Sequence, residues 1–157
     1  MDPKIKLLIE LKEDIKKFES DLGFLGGIAA GAIEDLKNKV YKRDEDLYEV
    51  LNSLNNIERR LTITLASMIK KASILAYYNS TMGELVHLLN KLGPYLNYIN
   101  KAISKAIVSY RNNPTYGIRN VYSALREIQN YAVAMMEEVE KIIREYINKY
   151  ISFYLLS

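Results

Sequence analysis

An all-α fold is predicted, a single-domain helical bundle over residues 1–157 with about five to six helices and a long C-terminal helix, on three observations. Seven Gly and three Pro in 157 residues leave little material for a turn-rich β-sandwich or barrel. Leu, Ile, Lys and Glu are abundant, as helices favour. Apolar residues recur at spacings of three and four through most of the chain, the period of a helix that buries one stripe.

The elements follow in order. Asp2 before Pro3 is an N-cap followed by proline at the first helical position. Leu8, Leu11, Ile15, Phe18 and Leu22 form one narrow seam behind it. Gly23 is placed to close this helix, and Gly26, Gly27 and Gly31 permit a turn or a close helix approach. A second helical stretch runs from about Ala30 to Asn56, with the charged patch Lys42 to Asp46 marking a break within it. The third carries Leu61, Leu65, Met68, Ile69 and Ala72. Thr81 with Glu84 reads as a capping box for a short helix that ends at Gly93. Pro94 opens the next, and Asn112, Asn113 and Pro114 stop it. From Tyr116 the pattern is the most regular in the chain: Ile118, Val121, Leu125, Ile128, Ala132, Met135, Val139, Ile142 and Tyr146. Beyond Val139 a second apolar stripe joins the first, through Ile143, Ile147, Tyr150 and Tyr154. Burial within the bundle or contact with another subunit accounts for it, and these four residues are the candidate subunit interface.

Composition excludes several classes. A chain of this length buries about two thirds of its unfolded surface, enough for a core without metal or disulfide support. With no Cys there is no disulfide framework, thiolate nucleophile or Cys-ligated zinc. No apolar run reaches the 18 or more residues of a membrane span, and Glu10, Glu13 and Asp14 break what would be a signal-peptide core, so a cytoplasmic location is expected. Heavy use of Ile, Lys, Glu and Tyr suits a thermophile.

Charge is unevenly spread. Residues 1–58 hold 9 basic and 13 acidic side chains, residues 121–157 hold 4 and 5, and residues 59–120 hold 9 basic side chains against Glu84 alone. The cations of this middle third are expected to lack ion-pair partners and to repel one another until an anion approaches. Arg59, Arg60, Lys70, Lys71, Lys101, Lys105, Arg111 and Arg119 are therefore the candidate nucleic-acid-binding residues. Tyr77, Tyr78, Tyr95, Tyr98, Tyr110, Tyr116 and Tyr122 lie in or beside the same stretch, where rings can stack on unpaired bases.

Catalytic patterns are missing. Glu84 and His87 make an E-x-x-H, the spacing of di-iron bundles, but such a site needs a second His and further inward carboxylates, and His87 is the only His. His87 then packs among Leu85, Leu88 and Leu89 or lies at the surface. Glu137, Glu138 and Glu140 with Lys141 and Arg144 read as an exposed face laced with ion pairs. There is no phosphate-binding loop and no nucleophile elbow, so no enzyme, metal or cofactor is expected.

The run Ala66-Ser67-Met68-Ile69-Lys70-Lys71-Ala72-Ser73, followed by Asn79, Leu85, Leu88, Leu89 and Lys91, resembles the small all-helical subunit of Cmr complexes, the type III-B CRISPR effectors. Lys42-Arg43-Asp44-Glu45 with Tyr48 and Val50 is similar to an earlier helix of that family, and Tyr131 to Glu138 to its C-terminal helix. Ser73 and Asn79-Ser80-Thr81 depart from the family's Pro and Asn-Gly-Leu, and residues 1–40 form an N-terminal extension outside the match. The resemblance implies a non-catalytic subunit in antiviral defence that stacks with copies of itself in a minor filament. Its partners would be target RNA, guide RNA and other effector subunits. Two alternatives are a nucleic-acid-coating structural protein of an archaeal virus and, last, a ferritin-like di-iron protein.

Overall fold

The computed structural model describes residues 2–39 and 44–156, with only the backbone described at residues 44, 114–116 and 153–156. Helix α1 spans Pro3–Lys37 and α2 spans Asp44–Tyr78. A 3-10 turn, Ser80–Met82, leads into α3, Gly83–Asn90, which runs on into α4, Leu92–Asn112. Helix α5, Pro114–Ile142, continues through a π turn, Ile143–Ile147, into α6, Asn148–Leu156. Among the described residues there is no strand, and the helices form four legs rather than five to six separate ones. Legs α1 and α4 each pack against α2 and α5, so the four close a square. Cross-helix pairs set the directions: Asp14 with Lys71, Tyr48 with Tyr110 and Tyr98 with Tyr131 make neighbouring legs antiparallel. Residues 3–37 are thus one full leg of the square.

Helix α1 starts as its sequence dictates, with Asp2 Oδ1 accepting the Lys4 amide at 2.8 Å and Pro3 in the first position. It does not stop at Gly23. Leu22, Leu25, Ala29, Ala32 and Ile33 extend the buried seam of Leu8, Leu11, Ile15 and Phe18 without a change of register. A helical glycine costs about 1 kcal/mol relative to alanine, whereas burying one leucine contributes about 2 kcal/mol, so the seam overrides the breakers. The helix ends one turn later, where the Asn38 amide bonds to Glu34 and Lys39 adopts the left-handed conformation at φ 54°.

From Asp44 the stripe Leu47, Leu51, Leu54, Leu61, Leu65, Met68, Ala72 and Leu75 is buried without interruption. The second and third helices of the sequence reading are therefore one helix. Of the charged patch, Lys42 and Arg43 lie outside the described residues, and Asp44 to Asp46 open α2. The capping box at Thr81 and Glu84 does not form. Asn79 caps instead, its Oδ1 accepting the Thr81 amide at 3.1 Å and the Thr81 hydroxyl at 2.7 Å.

Pro94 sits in the first turn of α4, where its missing N–H interrupts the ladder from α3. Pro114 starts α5. In α5 the buried positions Val121, Leu125, Ile128, Ala132, Met135, Val139 and Ile142 keep helical spacing, and the next, Ile147, comes five residues on. The π turn inserts one residue and swings the stripe by about 100°. What the sequence presents as a second apolar face is one stripe in a shifted register.

Candidate nucleic-acid interface

Residues eleven apart on a helix lie about three turns away on nearly the same azimuth. Arg59 and Lys70 share such a line on α2, opposite its buried stripe, and both are exposed. Arg60 and Lys71 share another, turned toward α1. There the Arg60 Nη2 lies 3.4 Å from Asp21 Oδ1, and the Lys71 Nζ lies 2.7 Å from Asp14 Oδ2. The same Asp14 oxygen accepts the Ser67 hydroxyl at 2.8 Å. The expectation that middle-third cations lack partners fails for these two, because the antiparallel packing brings first-third acids alongside them. Lys71 is a strut of the bundle.

Lys101, Lys105 and Arg111 stand exposed on α4, away from the buried Leu96, Ile99, Ile103, Ala106 and Tyr110. Arg119, near the start of α5, is exposed as well. Among the described residues none of Arg59, Lys70, Lys101, Lys105, Arg111 and Arg119 forms an ion pair. The sequence holds no Asp or Glu between Glu84 and Glu127, so α4 has no acid of its own. Lys101 and Lys105, one turn apart, repel by a few tenths of a kcal/mol. An approaching polyanion relieves that repulsion.

The tyrosines divide. Tyr98 is half exposed and its ring stacks on Tyr131, with centroids 5.4 Å apart and planes 18° from parallel. Tyr77, 86% exposed, meets Tyr78 edge to face. Tyr110 is buried against Tyr48 and takes no part in the surface. Tyr95 and Tyr122 are half-buried, and the Tyr116 side chain lies outside the described residues.

His87 and Glu84 are both exposed on α3. Glu84 accepts the Tyr146 hydroxyl in an open cleft of about 570 Å³ that Glu145 and Lys149 also line. Holding that proton raises the Tyr146 hydroxyl from 10.0 to about 12, with burial and the Glu84 and Glu145 charges adding to the effect. A raised folded value means that stability present below the unfolded value is lost as pH climbs through the folded one. Wild-type protein should lose urea resistance between about pH 10 and 12, and Tyr146→Phe should lose less. Parallel pH curves for the two proteins would contradict the assignment. Among the described residues no three of His, Asp or Glu are grouped to hold a metal ion.

The candidate interface residues are scattered. Ile147 is fully buried in the chain's own core and offers no contact surface. Ile143 and Tyr150 are half-buried against that core, the Tyr150 hydroxyl donating to Thr81 Oγ1 at 2.8 Å. The Tyr154 side chain lies outside the described residues. Nor do Glu137, Glu138 and Glu140 form ion pairs with Lys141 or Arg144 among the described residues. No helix among them is long and apolar enough to cross a membrane. The chain matches no protein-family model, no curated protein and no solved structure.

Proposed function

We propose that this protein is a non-catalytic RNA-contacting subunit, the small subunit of a type III-B CRISPR effector complex in antiviral defence, with the outer face of α4 turned toward RNA. The observation that carries the reading is the set of six exposed cations without ion pairs among the described residues, three of them on α4, a helix with no acid of its own. Such a surface gains free energy by releasing counterions from phosphates. Phosphate contacts position a strand without reading its bases, which suits a subunit that must accept any target sequence. One subunit supplies few contacts, so useful affinity comes from repetition along a filament. The cytoplasm is where target RNA would be met.

Affinity purification from the native host tests the assignment. Recovery of guide RNA with other effector subunits supports it. Recovery of virion components with DNA or RNA would replace it with the nucleic-acid-coating alternative, and recovery of protein free of nucleic acid would contradict both.

A further inference from the structure

The outward face of α1 contributes nothing to the fold. Opposite the buried seam, Lys16, Ser20, Gly23, Gly27, Gly31 and Glu34 follow one another at spacings of three and four, all exposed. A Cβ on Gly23, Gly27 or Gly31 would meet nothing within 4 Å, so packing inside the chain does not explain glycine on three successive turns. Beside this strip Phe24 projects, 60% exposed. Its ring borders an open groove of about 290 Å³ between α1 and α2, whose lining includes Ile28, Ile57 and Arg60. Asp21, 7% exposed and held by that same Arg60, keeps its Oδ2 without a donor among the described residues. A bare strip of backbone with one protruding ring is shaped for the close approach of another helix.

The charges at the two ends of the strip select which helix. Lys16 and Glu34 lie equally far in sequence on either side of Leu25, and neither has an ion pair among the described residues. A second α1 running antiparallel and centred at Leu25 sets Lys16 against the partner's Glu34 and Glu34 against the partner's Lys16. Phe24 of each copy then lies over the bare Gly23–Gly27 stretch of the other. A parallel copy would instead oppose like charges.

We propose that the protein forms a two-fold dimer through antiparallel contact of α1 with α1 along the Gly23, Gly27 and Gly31 strip. The contact is independent of the RNA reading. Since α4 stands diagonally across the square from α1, both cationic α4 faces remain uncovered and point away from the dimer axis.

Sedimentation of the full chain across the micromolar range tests this. Wild-type protein should associate to a dimer. Gly27→Leu should sediment as a monomer and keep its helical circular dichroism signal, since its Cβ meets nothing within 4 Å in its own chain. Lys16→Glu and Glu34→Lys should each raise the dimer dissociation constant by about tenfold or more, and the double exchange should restore it. A wild-type monomer throughout, a dimeric Gly27→Leu variant, or a double exchange no better than its parents would each overturn the proposal.

Discussion

Replacing Ile147 with Glu is expected to unfold the protein or nearly so. The side chain is wholly enclosed at the π turn, where the last leg packs against α1. The cost of burying a carboxylate there, together with the lost apolar contact, reaches about 4 kcal/mol or more. Total stabilities run from about 5 to 15 kcal/mol, so the loss consumes much of the margin. Ile147→Val, which removes one methyl group, should cost about 1 kcal/mol and keep the fold. Urea unfolding followed by the helical circular dichroism signal separates these outcomes. A folded Ile147→Glu monomer with the wild-type midpoint would place Ile147 on the surface and return it to the candidate interface.

Gly117→Ala should be the second severe change. This residue is buried at the α4–α5 corner, where a Cβ would stand 2.6 Å from Tyr110 Cα and 2.7 Å from Ser109 O. Both are backbone atoms of the preceding helix, so the clash is relieved only if α4 and α5 part at the corner they share. A penalty of about 3 kcal/mol follows, or a fall in thermal midpoint of about 6 to 12 °C for a chain of this size. Gly83→Ala, at a helical backbone position outside the α1 strip, is the matched control. Its Cβ enters open space, and the helix should gain up to about 1 kcal/mol. Equal midpoints for the two variants would show that the corner is looser than described.

The helical character of the chain was legible because it rests on local periodicity, and Leu8 to Leu22 or Val121 to Ile142 carry their period in plain view. Boundaries were less so. Gly23 reads as a stop signal only while one looks at ten residues, since the seam that overrides it becomes decisive when Leu25, Ala29 and Ile33 find α2 and α5. The joining of two expected helices into α2 has the same origin. The π turn leaves a sequence trace, the five-residue step from Ile142 to Ile147, which in the sequence alone reads as a second apolar face.

Within the candidate interface, exposure of Lys101, Lys105 and Arg111 follows from their position opposite a strong apolar stripe, and periodicity suffices to find it. The fate of Arg60 and Lys71 does not follow, because their partners Asp21 and Asp14 lie 39 and 57 residues away and meet them only through the antiparallel packing of α1 on α2. A charge count along the chain sees composition and is blind to that pairing. Gly117 gave no signal either, since a single glycine near Pro114 looks like any turn residue until Tyr110 is placed beside it.

The central claim, that the exposed cations of α2 and α4 hold RNA by its phosphates, is tested most directly by the salt dependence of binding. The variant combines Lys70→Ala, Lys101→Ala, Lys105→Ala and Arg111→Ala, with Lys71→Ala as a control that weakens the bundle through Asp14 and leaves the RNA surface alone. Affinity for single-stranded target RNA is measured in the assembled complex at equal subunit occupancy over a range of salt. Each lost phosphate contact flattens the logarithmic slope by about 0.7, so the fourfold variant should lose up to about 3 in slope per subunit, weakening alike for every sequence. The Lys71→Ala slope should match wild type. An unchanged slope in the fourfold variant would mean that this face meets protein or solvent and would contradict the account.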